Sequence, residues 1–346
     1  MKIKKIKFIE FMLFGSGPKS FRRNGTYKRE KKYYKTFKEY NFYPKIIEYP
    51  INRKDNKGFI KILKITIQFS NSILNPIIIG ILFKNFDLIR CKQIYGSWSA
   101  LILKIISKKK LIIRVGYSWS LSIKHESGSH SFKYKFSRII ENIILRNADG
   151  LIVSSDYLYE KYNLINKNIT IVPNGIDKNK FKNYKKIRTY DYIFVGRLIK
   201  IKGIDRILKF IENHQDKSFL LIGANPLKLS INKYKNVTYI NKVENYKLAS
   251  YMNKSKMIIN FSRSEGSPKA LIEGIACGCI PLLSNIKAHN DILKDLKYGT
   301  ILDFPNQKEL ISIKYNRLSN KRFNKKYSLD YCVSKECYFM EKILKS

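Results

Sequence analysis

The sequence predicts an α/β chain of two domains, each a mostly parallel sheet covered by helices on both faces. Three observations predict it. Apolar runs of strand length alternate with helical stretches along the whole chain, the pattern of strand–helix–strand units. The runs fall into two series, parted by a polar, basic, pattern-free stretch at residues 178–189. At 346 residues the chain is too long for one ordinary core, and 44% hydrophobic residues suffice to fill two.

The first series opens with Lys7–Phe14, which runs apolar into Gly15-Ser16-Gly17. Leu88–Arg90, Leu111–Val115, Gly150–Ser154 and Thr170–Val172 follow as strands. Between them, residues 135–146 carry Phe136, Ile139, Ile140, Ile143 and Ile144 on one helical face. The boundary falls at Pro173-Asn174-Gly175, where Asn-Gly signals a tight turn. The second series is Tyr190–Val195, Phe219–Ile222, Val237–Ile240, Met257–Phe261 and Ile280–Leu283. The tail from Arg322 reads as a helix with Tyr331, Val333, Tyr338 and Ile343 at apolar positions. It either closes the second domain or crosses back to the first. The expected division is an N-terminal domain at 1–173, a C-terminal domain at 174–325 and a terminal helix at 326–346.

The charge balance narrows the partners. With 68 Lys and Arg against 26 Asp and Glu, the net charge is +42. Such a surface seeks polyanions: nucleic acid, anionic lipid or phosphorylated substrates. Abundant Ile, Asn, Lys, Tyr and Phe point to an AT-rich coding sequence, which accounts for part of the lysine but not for the scarcity of acids. Zinc-finger spacing, RRM signatures and a basic zipper are all missing, so no specific nucleic acid is expected. The longest apolar run, Ile77–Phe83, is far too short to span a bilayer. Lys2, Lys4, Lys5 and Lys7 ahead of Phe8 mimic a signal peptide, but Glu10 interrupts the apolar stretch. The expectation is a cytoplasmic protein, peripheral on the inner face of the plasma membrane. Residues 28–43 interleave basic residues with Tyr33, Tyr34, Phe37, Tyr40, Phe42 and Tyr43. They read as a helix resting on anionic lipid, or as an ordinary basic surface segment.

Cys91, Cys277, Cys279, Cys332 and Cys337 form no C-x-x-C and are odd in number, which fits reduced thiols. Of the histidines only His125 and His130 lie close together, and His289 reads as solvent-exposed ahead of the alternative that it lines the cleft. No metal site is expected.

Three motifs carry chemistry. The strongest runs from Ser262 to Gly278, S-R-S-E-G-S-P-K-A-L-I-E-G-I-A-C-G. A strand ends near Phe261, Ser267 reads as a helix N-cap and Pro268 as the first helical residue. Gly278 stops the helix. The helix start offers unpaired N–H groups and the positive end of a dipole to phosphate. Glu273 stands roughly 7.5 Å further along the axis, about the offset from a diphosphate to its ribose. Glu265 precedes the helix on the sugar side. The second motif is Gly196-Arg197-Leu198-Ile199-Lys200-Ile201-Lys202-Gly203, which sets Arg197 and Lys202 on a loop at a strand's C-terminal end. There a guanidinium fork and a mobile ammonium can stabilise a leaving diphosphate without a metal. The third is Val172-Pro173-Asn174-Gly175-Ile176-Asp177, weak alone.

In this order the three resemble the retaining glycosyltransferases of family 4, with the GT-B fold of two Rossmann-like doubly wound domains facing a cleft. The likeness spans about residues 88–300, and Asp87-Leu88-Ile89, Arg114-Val115-Gly116-Tyr117 and the stretch from Asn147 to Ser154 match more loosely. The resemblance implies a C-terminal helix that crosses back to the first domain. It implies a sugar moved from a nucleoside-diphosphate sugar to a glycan or lipid-linked acceptor in surface polysaccharide biosynthesis. Arg197, Lys202 and Glu265 would be catalytic; Gly196, Ser267, Pro268, Lys269, Ala270, Leu271 and Glu273 would bind the donor. Gly15, Ser16, Gly17 and Tyr117 would line the acceptor side. No cofactor is implied, and no D-x-D stands in the chain to hold a divalent metal on the diphosphate. Phe261, Ser267, Gly274 and Asn241 depart from the family's usual Pro, Phe, Ala and Gly, and the family's frequent His near the sugar has no counterpart at Arg114–Tyr117. The rival readings are another GT-B enzyme, such as a sugar-nucleotide epimerase, or a basic nucleic-acid-binding protein.

Overall fold

The computed structural model describes the chain except residues 1–4, 14–25, 50–58, 84, 186, 305–308 and 314–316. Gly15, Ser16 and Gly17 therefore lie outside the described residues. The chain divides into two compact units, one of residues 1–173 with 333–346, the other of residues 174–332.

Unit 1 carries β1 (Ile6–Leu13), α1 (Thr26–Glu39), β2 (Phe42–Tyr49), α2 (Phe59–Leu82), β3 (Leu88–Lys92) and α3 (Trp98–Ser107). It continues with β4 (Lys110–Val115), α4 (Trp119–Ser127), α5 (Phe132–Arg146), β5 (Gly150–Val153), α6 (Asp156–Tyr162) and β6 (Ile169–Ile171). The sheet order is β2-β1-β3-β4-β5-β6, with every described pair parallel. Alternation along β1 explains its two faces. Ile9 and Phe11 join Ile89, Leu111, Leu151 and Leu145 in one core, while Phe8 packs on the rings of Phe37 and Phe42. Several aromatic residues of 28–43 thus go inward, although Tyr40 stays 39% exposed. Phe37 and Phe42 are fully buried and Tyr34 nearly so, which removes the reading of this segment as a lipid-resting helix.

On the Phe8 face lies a buried ionic cluster. Glu10 and Arg90 are cross-strand partners, joined at 2.6 Å. Arg90 also reaches Glu336 at 2.6 Å, and Arg114 pairs with Glu336 as well. Tyr33 of α1 donates to the Glu336 carboxylate at 2.9 Å. Glu336 belongs to α12 (Leu329–Lys345), whose residues 333–346 lie in unit 1. The C-terminal helix therefore crosses back to the first domain. Two guanidinium groups face two carboxylates here, the balance a buried ion cluster requires. Burial alone would raise the Glu336 carboxyl, but Arg114 and Arg90 outweigh it and hold it below its ordinary range. Of the apolar positions read in this tail, Val333 and Ile343 are buried whereas Tyr338 is 73% exposed.

Helix α2 passes through Pro76, which has no N–H for the carbonyl of Ser72. Ser99 Oγ takes that place, donating to the Ser72 carbonyl at 2.6 Å, and Trp98 Nε1 donates to Ser72 Oγ at 2.9 Å. Helix α5 departs from expectation: only Ile144 of its five apolar positions is fully buried, while Phe136, Ile139 and Ile143 stand outside.

Unit 2 contains β7 (Tyr190–Val195), α7 (Ile204–Glu212), β8 (Phe219–Ile222), β9 (Val237–Ile240), α8 (Asn245–Asn253) and β10 (Ser255–Asn260). Then come α9 (Lys269–Ala276), β11 (Ile280–Ser284), α10 (Lys287–Leu296), β12 (Gly299–Leu302), β13 (Glu309–Ile313) and α11 (Arg317–Lys326). The order is β13-β12-β11-β10-β7-β8-β9, parallel except for the edge strand β13. From β7 onward this is the doubly wound order 3-2-1-4-5-6 read in reverse, with an extra edge strand. The strand order reverses between β7 and β10, which run parallel, the place where ligands bind in such sheets. Ile193, Leu220 and Ile258 fill one face; Phe194, Phe219, Leu221 and Ile259 fill the other.

Candidate active site

The two strong motifs leave β7 and β10, the neighbouring strands at that reversal. After β7 the chain passes Gly196 and Arg197, makes a short 3₁₀ turn at Lys200–Lys202 and enters α7 through Gly203. Gly203 has φ +70°, and a Cβ there would lie 2.0 Å from the Phe261 carbonyl oxygen. The backbones of the two loops approach so closely that only glycine fits. Arg263 then clamps them together. Its backbone N–H donates to Ile201 O at 2.9 Å, its Nη1 to Lys200 O at 2.6 Å, and its fork grips Asp205 at 2.8 and 2.6 Å.

This brings Lys202 to Glu265. Their Nζ and Oε1 stand 2.6 Å apart, with the carboxylate side chain only 9% exposed. Ser262 Oγ lies 2.8 Å from the same oxygen, and Ser284 Oγ holds the Ser262 carbonyl at 2.6 Å.

Helix α9 begins one residue later than the sequence suggests. Pro268, with φ −73° and ψ 90°, occupies the cap position, and Ser267 precedes it. Ser267 does not cap the helix; its Oγ accepts from the Asn174 N–H at 3.2 Å and its carbonyl from Asn174 Nδ2 at 3.0 Å. Pro268, at the cap position, gives no side-chain hydrogen bond to the first turn of α9. At the other end Gly278 N–H bonds Ile275 O and Cys279 N–H bonds Gly274 O. With Gly278 at φ +86° this is a Schellman stop.

Lys202, Glu265, Ser267, Pro268, Lys269 and Ala270 line one cavity together with Phe194, Val195 and Asn260. Its volume of about 130 Å³ is well below the ~300–1,000 Å³ of clefts that hold a whole small molecule, so it suits one group of a ligand. The start of α9 with its dipole, Lys202 and Lys269 bring positive charge to this cavity, and Glu265 brings one negative charge. Arg197 is exposed on the adjoining loop and does not line the cavity. Gly196 likewise stays outside it, and Leu271 and Glu273 are buried in α9 at 1% and 4% exposure. In unit 1, Tyr117 follows β4 and is 41% exposed. Arg114, two residues before Gly116, serves the Glu336 cluster.

His289 is not solvent-exposed: it is fully buried, with Nδ1 donating to the Ser284 carbonyl at 2.9 Å. Burial pushes its imidazole down to about 4. The Cys279 thiol is pushed up to about 12 by burial, and that of Cys277 also rises, so neither is a nucleophile near neutral pH. Sequence reasoning missed Asn174 and Arg263 as positioning residues. The fixed order of the motifs was the only available signal for the first, and nothing marked the second.

Residues 175–327 match the family model of the glycosyl transferases, group 1. An uncharacterized glycosyltransferase of Methanocaldococcus jannaschii is 26% identical over 226 residues, 60% of this chain and 60% of that protein. The match thus spans about three fifths of its length. Among solved structures, sucrose-phosphate synthase from Thermosynechococcus elongatus is similar with a TM-score of 0.72 at 12% identity, over 98% of this chain and 99% of that one. The lipopolysaccharide outer core galactosyltransferase WaaB, in its apo form, gives 0.65 at 15% identity over 98% and 100%. Anabaena HepE in complex with UDP and glucose gives 0.58 at 12% identity over 98% and 97%. The chain therefore has the two-domain α/β fold of the GT-B glycosyltransferases.

Proposed function

We propose that the chain is a retaining glycosyltransferase of family 4 that moves a sugar from a nucleoside-diphosphate sugar to a glycan or lipid-linked acceptor. The carrying observation is the cavity where the strand order reverses, at which the start of α9 meets Lys202 and Glu265. The donor's diphosphate occupies the helix start, with Lys202 and Arg197 taking up the charge that develops on the leaving group. Glu265 orients the sugar hydroxyls, and Glu273 serves the ribose. The leaving phosphate oxygen deprotonates the acceptor hydroxyl, so sugar and acceptor meet on one face and configuration is retained. No divalent metal takes part, because the lysines, the guanidinium and the helix dipole supply the positive charge.

The acceptor belongs to surface polysaccharide assembly at the cytoplasmic face of an anionic membrane. The net charge of +42 supports this, as does the fold shared with a lipopolysaccharide galactosyltransferase. The described helices include none long and apolar enough to cross a membrane. The test is transfer from an α-linked nucleotide sugar, with chelator present, to a lipid-linked acceptor, read by the anomeric proton of the product. An α-linked product supports the proposal. A β-linked product overturns retention, and a free epimerised sugar nucleotide overturns transfer.

A further inference from the structure

The face of α5 turned away from the core is apolar. Ser137, Glu141, Ile144 and Leu145 are buried on one side of this helix. On the opposite side Phe132, Phe136, Ile139 and Ile143 follow at spacings of four, three and four, and they are 79, 52, 56 and 46% exposed. The stripe is roughly 16 Å long at the helical rise. The rings of Phe132 and Phe136 stack within it, their centroids 6.0 Å apart. A helix on a water-facing surface carries polar residues in this position.

The border of the stripe is basic. Lys133 flanks it on one side, Lys135, Arg138 and Arg146 on the other, all exposed. The one acidic residue of the helix, Glu141, is buried and accepts from Ser120 N–H at 2.7 Å and from Ser118 Oγ at 3.1 Å. Helix α2 also exposes Ile78, Ile81 and Leu82, with Lys45 over the Phe83 ring at its end, but residues 67–83 hold no Lys or Arg. Of the two faces, that of α5 carries its basic border along the stripe itself.

We infer that this face of α5 is the surface on which the protein lies in an anionic membrane. Phe132, Phe136, Ile139 and Ile143 enter the boundary between headgroups and acyl chains, while the basic border meets the lipid phosphates. The inference rests on the membrane reading given above and names its contact surface, a role for which the segment 28–43 leaves no apolar stripe, since Tyr34, Phe37 and Phe42 are buried.

Flotation with vesicles tests it, using phosphatidylglycerol mixed with phosphatidylcholine, and phosphatidylcholine alone, at physiological salt. The wild type floats with the anionic vesicles. Phe136→Ser/Ile139→Ser lowers partitioning at least about tenfold with its unfolding midpoint unchanged. A second variant, Lys135→Gln/Arg138→Gln, leaves the apolar stripe intact and loses the preference for anionic over neutral vesicles. If wild type and the serine variant float equally, the assignment of α5 is overturned while the membrane reading stands. Failure of the wild type to float with any vesicle overturns the membrane reading itself. A wild-type dimer that the serine variant converts to monomer makes a second copy the occupant and overturns the lipid assignment.

Discussion

Lys202 Nζ stands 2.6 Å from Glu265 Oε1, so the cation proposed to meet the diphosphate is already held by the carboxylate proposed to orient the sugar. The two come from loops 63 residues apart in sequence that meet at the reversal of the sheet. The carboxylate fixes the amine in place before any donor arrives, which lessens the ordering needed at the moment of transfer.

Replacing Lys202 or Arg197 by Ala is expected to lower kcat/KM for the nucleotide sugar by about 10²–10³-fold, the usual effect of deleting one electrostatic donor. Arg197 is exposed, so its replacement leaves the unfolding midpoint within a degree or two of wild type, whereas Lys202→Ala lowers it, because the Glu265 carboxylate, 9% exposed, loses its cation. Steady-state kinetics and a thermal melt on the same preparations check both halves.

Glu265→Gln separates the partners. It frees Lys202, so a nucleoside diphosphate without sugar binds as well or better, while turnover of the sugar conjugate falls. Calorimetric titration against kinetics reads the split. Loss of diphosphate binding would contradict the role assigned to this carboxylate.

Gly203→Ala forces a Cβ to 2.0 Å from the Phe261 carbonyl oxygen in a backbone at φ +70°. A strained backbone position costs about 1–3 kcal/mol, and the backbone contact adds to it. Denaturant melts are expected to show that loss together with reduced donor binding, because the loop that carries Lys202 must shift.

Glu336→Ala leaves Arg90 and Arg114 buried against a missing carboxylate. Breaking a buried pair from one side costs roughly 3–5 kcal/mol. The expected readouts are a lower midpoint in urea and faster proteolysis of the C-terminal helix.

Acid should destabilise the protein through His289. The unfolded imidazole gains its proton as pH falls through 6.5, whereas the buried one stays neutral down to about 4. In that window the unfolded state binds more protons, so stability drops with pH, by an order of 3 kcal/mol across the full window. The Glu336 carboxyl, held below 4.5, extends the loss further into acid. Unfolding curves of His289→Gln are expected to be flatter between pH 4 and 6.5.

The sequence made the central strands and the charged loop positions legible because apolar runs and glycine punctuation are local signals. What it hid is physical in each case. Strand β2 holds Pro44, which argues against a central strand, and β2 is indeed at the sheet edge, where a missing N–H is tolerated. Helix α2 was obscured by Pro76, whose partner carbonyl finds Ser99 only in three dimensions. The cluster of Glu10, Arg90 and Glu336 joins positions 80 and 246 residues apart, beyond any local pattern. Ser267 looked like a helix cap because its type and spacing fit, yet Asn174 claims it.

The central claim is a donor site that binds a nucleoside diphosphate without metal, and thermal stabilisation by UDP, GDP, ADP and their sugar conjugates in the presence of chelator tests it most directly. Binding to the native state alone raises the unfolding midpoint. The account predicts a shift with one base family, unchanged by chelator and abolished in Lys202→Ala. A folded protein that shifts with none of them, or only when a divalent metal is added, would contradict it.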